Sequence, residues 1–307
     1  MAKRSLKKRI KYSLIFAFVK TLIALANFFP RTWVMKFSGR LGRLAFRLMK
    51  KPSQITTDNL ASVYGSEMSK DEIHNLGKKV FEMIGKNASD IIRGLSVKDY
   101  TSLEKFTVIE GQEHLDKAYA RGKGVIALTA HYGAFEFTAT YLGLKGYQPL
   151  VIGTALKDKR LNKLLVENRT SRGGIAIERG KETVKVIKGL KSGGVLIILI
   201  DQDTKVKSEF VDFMGRKAST PIGGTLMALK TGAAVVPMYV SLQADYKQKI
   251  RFLPEVELQT TGDMDRDLVV NTQRLTTVTE EIIREDPSQW VWMHRRWKTR
   301  PPSETQA

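Results

Sequence analysis

From residue 105 to residue 284 the chain alternates between short apolar runs and longer segments whose apolar residues recur at helical spacing. The short runs predict strands and the segments between them predict helices. Strands are expected at 106–110, 125–129, 149–153, 174–177, 195–200, 235–240 and 249–258, the last at an edge of the sheet. Helices are expected at 113–121, 135–144, 157–172, 181–191, 221–231 and 269–284. Strands this apolar are covered on both faces. The pattern therefore predicts an α/β fold: a central, mostly parallel mixed sheet flanked by helices.

The first third of the chain follows a different rule. An apolar run at 14–29 is interrupted by Lys20 and Asn27. It lacks a small-residue cleavage site and falls short of the roughly 20 apolar residues a spanning helix needs, so a shallow interfacial anchor fits it best. Next, Lys36, Arg40, Arg43 and Arg47 form a basic stripe, and Phe37, Leu41, Leu44 and Leu48 form an apolar stripe one residue along. A helix with this pattern either lies in a membrane interface or packs its apolar side on a core. Pro52 is expected to end it, leaving 53–68 polar and irregular. Ser69 and Glu72 make a capping box for a core-packed helix to about residue 93, with His74 on its surface. The chain thus divides into basic anchoring helices at 1–51, an α/β domain at 52–301 with a helical lead-in at 69–93, and a disordered tail at 302–307.

Charge sharpens the amino-terminal reading. The net charge is +20, and residues 1–57 hold fourteen Lys or Arg with no Asp or Glu. Such a segment suits anionic partners, and without a recognised nucleic-acid motif the choice falls on a lipid surface. There is no cysteine, which excludes thiolate catalysis and cysteine metal sites. The four histidines, at 74, 114, 131 and 294, lack metal-ligand spacing, so neither a metal nor another cofactor is expected.

The candidate chemistry sits where the strand at 125–129 runs into His131, then a small-residue turn, then Glu136. A strand-to-helix corner is where α/β folds place ligands. On one helix, residues five apart diverge by roughly 140°, so contact needs His131 before the helix and Glu136 in its first turn. Gly133 permits that bend. The helix dipole would hold Glu136 ionised, and Glu136 would fix the His131 tautomer and leave the other ring nitrogen as a general base. The competing reading is a corner histidine beside a capping glutamate, with no catalysis.

His131-x4-Glu136 resembles the HX4(D/E) signature of glycerolipid and lipid A acyltransferases. The segments 111–118 and 124–126 leading to His131 resemble the lipid A lauroyl/myristoyl branch, which usually reads His-Phe-Gly-Asn-Trp-Glu; here Tyr132, Ala134 and Phe135 take the variable places. The resemblance covers roughly 105–301. It implies transfer of a fatty acyl chain from an acyl carrier protein thioester to a hydroxyl of a lipid A precursor, at the cytoplasmic face of the inner membrane. Acyl-CoA as donor and another glycolipid or a lysophospholipid as acceptor stay open. So does a non-catalytic membrane-binding protein.

Further blocks carry the same resemblance. Arg169 and Arg172 precede a short strand ending near Arg179, and one of these arginines is implied to contact the acceptor or the thioester, Arg169 being favoured. The alternative is charge complementing a helix C-terminus. Asp201 and Gln202 fall in the third block, Asp201 ordering the loop and Gln202 donating hydrogen bonds. Residues 218–224 read as a cap and proline opening a helix whose N–H groups could take an anion, and Pro237 falls in the fourth block. The ending at 287–301 matches the family, and its aromatic–basic alternation suits an interface. His294 competes as a base but has no local carboxylate.

Overall fold

A computed structural model describes residues 6–180 and 182–302. Lys181, which opens the helix expected at 181–191, and residues 303–307 of the expected tail lie outside the described residues. Four helices come first: α1 (Leu6–Phe28), α2 (Arg31–Leu48), α3 (Lys50–Tyr64) and α4 (Lys70–Gly94). A short α5 (Tyr100–Glu104) leads into β1 (Thr107–Glu110), α6 (Gln112–Tyr119), β2 (Val125–Thr129), α7 (Phe137–Leu144) and β3 (Pro149–Gly153). Then follow α8 (Lys159–Thr170), β4 (Ile175–Glu178), α9 (Thr183–Lys191), β5 (Val195–Leu199), β6 (Ser208–Phe213) and β7 (Arg216–Pro221). The chain continues with α10 (Gly223–Thr231), β8 (Ala234–Leu242), β9 (Gln248–Phe252), α11 (Met264–Glu285) and a 3-10 turn at Pro287–Gln289.

Among the described residues, seven strands form one sheet in the order β1-β9-β8-β2-β5-β3-β4. All neighbours are parallel except β8 and β9. The central strand β2 is buried along its whole length, as its unbroken apolar sequence requires. The sheet is thus the mostly parallel mixed sheet that the pattern of runs predicted.

Several local expectations need correction. Pro52 does not end a helix. It sits in the first turn of α3, where its missing N–H has no intrahelical partner to lose, so 53–68 is largely helical. The strand expected at 249–258 stops at Phe252 and lies between β1 and β8, not at an edge; β1 and β4 are the edges. Residues 208–221, read as a loop and a helix cap, form the antiparallel hairpin β6–β7. Its two-residue turn, Met214–Gly215, has both φ values positive, 54° and 74°, the geometry that suits a twisted hairpin. Pro221 therefore ends a strand, and α10 starts after Ile222 without a side-chain cap. The Ser69–Glu72 capping box is present in full and opens α4.

The two amino-terminal stripes are resolved by packing. Met35, Gly39 and Phe46 form the buried face of α2, whereas Phe37, Leu41, Leu44 and Leu48 are 47–71% exposed. The apolar stripe does not pack on the core. Helices α2 and α4 cross through glycines: a Cβ on Gly42 would lie 2.1 Å from the Phe81 carbonyl oxygen, and one on Gly85 would lie 2.2 Å from that of Ser38. Helix α1 contains a stretch, Ile10–Phe28, long and apolar enough by composition to cross a membrane, and it is almost entirely uncovered by the rest of the protein. Its apolar helical character exceeds what the 14–29 run alone suggested, and it could serve as an anchor.

Candidate active site

Strands β2 and β5 are parallel neighbours with Thr129 opposite Leu199. Extending that register two residues past the strand ends sets His131 opposite Asp201, at the carboxyl edge where open α/β sheets bind ligands. The Asp201 side chain is wholly buried. It accepts hydrogen bonds from the His131 backbone N–H (2.9 Å), from His131 Nδ1 (3.0 Å) and from Trp290 Nε1 (2.8 Å). With Nδ1–H donating to Asp201, the Nε2 lone pair is free.

This corrects the expected pairing. The carboxylate bonded to the His131 ring is Asp201, about seventy residues away in sequence, and not Glu136. Burial is the largest influence on His131 and opposes its protonation. The charge and hydrogen bond of Asp201, followed by the charge of Glu136, outweigh it against the opposing Arg179, so the imidazole pKa is raised. Burial likewise opposes ionisation of Asp201. The His131 charge and ring bond, with the Trp290 and backbone donors, nevertheless hold that carboxyl well below its usual range.

Glu136 immediately precedes α7 and lies 3.7 Å from the Arg169 guanidinium. Arg169 comes from the last turn of α8 and lies against β3, where a Cβ on Gly153 would be 2.6 Å from its Nη1. Its buried Nε has no hydrogen-bond partner among the described residues. A buried, unanswered donor of this kind is rare in folded proteins and suits a bound acceptor. Arg179 is exposed, and with Gln202 it lines the same cavity. The cavity encloses ≈ 460 Å³; His131, Glu136, Arg169, Arg179 and Gln202 supply its polar wall, and Phe135, Val151, Ile197 and Leu226 are among its apolar lining.

Arg172 is not part of this group. Its buried guanidinium donates to the carbonyls of Gly94, Val97 and Leu95, closing the end of α4, and to Asn168 one turn back on α8. It is a structural staple, the role that the helix-terminus alternative came nearest to.

The carboxy-terminal aromatics are also displaced from the expected role. Trp290, Trp292 and Trp297 are 1%, 0% and 5% exposed, and they belong to the core. Arg296 is fully buried against the hairpin, its guanidinium over the Phe213 ring and donating to Ser219 O and Thr220 Oγ1. Burial pushes its guanidinium down to about 10, with Asp201 and Asp203 opposing. The segment clamps the His131 corner and is buried there, not laid out as an exposed interface. Val291 N–H donates to His131 O (3.2 Å), and Gly133 N–H donates to Gln289 O (2.9 Å). Gly133 has φ 56°, and a Cβ there would sit 1.9 Å from Val240 O, so the turn requires glycine as expected. The Nδ1 of His294 has no partner, and burial lowers that ring's pKa, so nothing local activates it.

Sequence reasoning missed Trp290 as a hydrogen-bond donor to the buried Asp201 carboxylate. It also missed Asp201 as the partner of His131. For Asp201 the available signal was positional: it and His131 each stand just beyond an apolar strand, but only the pairing of those strands joins them.

The fold and corner define an α/β enzyme with a histidine–carboxylate pair at the carboxyl edge of its sheet. A model of the bacterial lipid A biosynthesis acyltransferase family matches residues 1–299, and the chain belongs to that family; it is an acyltransferase. It is similar to the lipid A biosynthesis lauroyltransferase of Escherichia coli K12, 29% identical over 89% of this chain and 87% of that protein. It is 25% identical to the lipid A biosynthesis palmitoleoyltransferase of the same organism, over the same shares. A phosphatidylinositol mannoside acyltransferase of Mycobacterium tuberculosis is 25% identical over 62% of this chain and 60% of its own length.

Proposed function

We propose that this enzyme, held at the cytoplasmic face of the inner membrane, transfers a fatty acyl chain from an acyl carrier protein thioester to a hydroxyl of a lipid A precursor. The observation that carries the mechanism is the His131–Asp201 hydrogen bond at the cavity wall, which leaves Nε2 unbonded to protein. His131 Nε2 takes the proton of the acceptor hydroxyl as its oxygen attacks the thioester carbonyl. Asp201 stabilises the imidazolium, and Glu136 adds negative charge and holds Arg169 at the cavity. Arg169, with its unanswered Nε–H, is suited to the tetrahedral oxyanion. As the intermediate collapses the C–S bond breaks. The His131 proton passes to the leaving sulfur, giving an ester and a free thiol. No covalent acyl-enzyme is needed.

Exposed apolar and basic side chains on α1 and α2 support attachment to an anionic bilayer. The mycobacterial relative, named for a mannoside acceptor, favours another glycolipid as the second reading.

The test is transfer by the purified protein from carrier-protein thioesters and acyl-CoA, with the lipid A precursor and a mannosylated lipid as acceptors. Product from the carrier thioester and the lipid A precursor is expected. His131→Ala should lower turnover by about 10²-fold or more. Turnover unchanged in that variant would sink the histidine mechanism, and product only with the other donor or acceptor would move the assignment.

A further inference from the structure

Helices α1, α2 and α4 enclose a second, larger space: an open groove of ≈ 940 Å³. Its lining is almost wholly apolar, with Leu25, Phe37, Ile84 and Ala88 among its walls and the basic Lys36 and Arg40 also on it. Exposed apolar residues of both amino-terminal helices, Phe18 and Trp33 among them, also line it. Nothing in the reaction described above uses this space.

The groove is tied to the catalytic corner by one short segment. Met293 lines it. Two residues back, Val291 donates to His131 O, and the adjacent Trp290 donates to Asp201. The segment 290–293 therefore runs from the His131–Asp201 corner to the groove. The smaller cavity, which His131 lines, combines apolar walls, Val151, Ile197 and Leu226 among them, with the polar His131, Glu136 and Arg169, which fits one acyl chain ending in a reactive carbonyl.

We infer that the groove between α1, α2 and α4 holds the hydrocarbon chains of the acceptor lipid, while the cavity beside His131 holds the chain being transferred. This rests on the acceptor being a lipid that carries its own chains, as the proposed reaction has it. Three features fit that occupant: the apolar lining, the cations of Lys36 and Arg40 placed to meet an anionic headgroup, and walls built from the helices that face the bilayer. Two separate apolar volumes also let donor and acceptor be bound together, as direct transfer without an acyl-enzyme requires.

Two measurements test it. Ala88 is exposed within the groove, so Ala88→Trp fills the space without disturbing the core. The KM for the lipid acceptor should rise about tenfold while the KM for the acyl donor stays at its wild-type value. Ile84→Ser should act in the same direction. A raised donor KM would place the donor chain in the groove, and no change in either KM with weaker vesicle binding would make the groove a bilayer contact only; each overturns the inference. The second measurement does not depend on turnover. Trp33 is 67% exposed, whereas the other three tryptophans are buried. In detergent, an acceptor glycolipid with brominated chains should quench Trp33 fluorescence saturably, and Trp33→Phe should remove the quenching. Equal quenching by brominated phosphatidylethanolamine at the same concentration, or none by the glycolipid, would overturn it. If wild type shows saturable quenching but acylates no lipid acceptor, the proposed reaction fails while the groove assignment stands.

Discussion

The two ends of the proposed reaction are built on opposite physical terms. At the carboxyl edge of the sheet a carboxylate is enclosed: the Asp201 side chain has no exposure and is held by directional hydrogen bonds from His131 and Trp290. On the amino-terminal helices large apolar side chains are open, Phe28 by 81% and Leu48 by 71%. A buried carboxylate is tolerable only with its acceptors satisfied, so the corner must be rigid and over-determined. An apolar surface that meets lipid needs only the right face and depth, and it can tolerate many substitutions. In the proposed reaction, chemistry is thus fixed by a few hydrogen bonds, and attachment by many weak contacts.

The sharpest way to break that contrast is Asp201→Asn. It removes the charge that favours the imidazolium and allows the wrong His131 tautomer. Turnover should fall by about 10²- to 10⁴-fold. The pH profile gives the sign. In the proposed mechanism activity rises as His131 loses its proton, and Asp201 holds that pKa up against burial. With Asp201 neutralised, burial is opposed mainly by the Glu136 charge, so the acid limb should move to lower pH. A limb that stays in place would show that Asp201 does not set the basicity of His131.

A smaller effect is expected where the two regions meet. Gly85→Ala pushes a Cβ toward the Ser38 carbonyl at 2.2 Å and should separate α2 from α4. The strain is worth about 1–3 kcal/mol, read as a lowered denaturation midpoint. An unchanged midpoint would mean that the helix crossing is not tight.

The least effect on the folded protein, and a clear one on attachment, should come from Leu44→Ser with Leu48→Ser. Both side chains are exposed and lie outside the groove lining. Stability should shift by no more than about 0.5 kcal/mol, whereas flotation with anionic vesicles should weaken. Flotation equal to wild type would leave α1 as the whole attachment.

The strands at 125–129 and 149–153 were legible to the residue, because an apolar run between glycine-rich turns has few other solutions. The stripes on α2 and the capping box of α4 were legible for the same local reason. The hairpin was hidden, since β6 and β7 are only partly buried and carry charged residues on their exposed positions. Within the site, His131 was named from its place at a strand end, and Arg169, Arg179 and Gln202 from the family resemblance; the four meet at one cavity. Arg172 was grouped with them by the same resemblance, yet it points to the carbonyls closing α4.

The sequence by itself determined the periodicities, and with them the α/β sheet, the basic and apolar faces of the first helices, and the histidine at a strand end. These depend on residues within a few positions of one another. Only the tertiary structure decided which carboxylate His131 uses, that the final tryptophans clamp its corner, and that three helices leave a groove beside it. Those outcomes depend on the register between β2 and β5 and on the packing of distant segments. A hydrogen bond is fixed to a few tenths of an ångström, and such precision between residues seventy apart is set by the assembled sheet, not by local spacing.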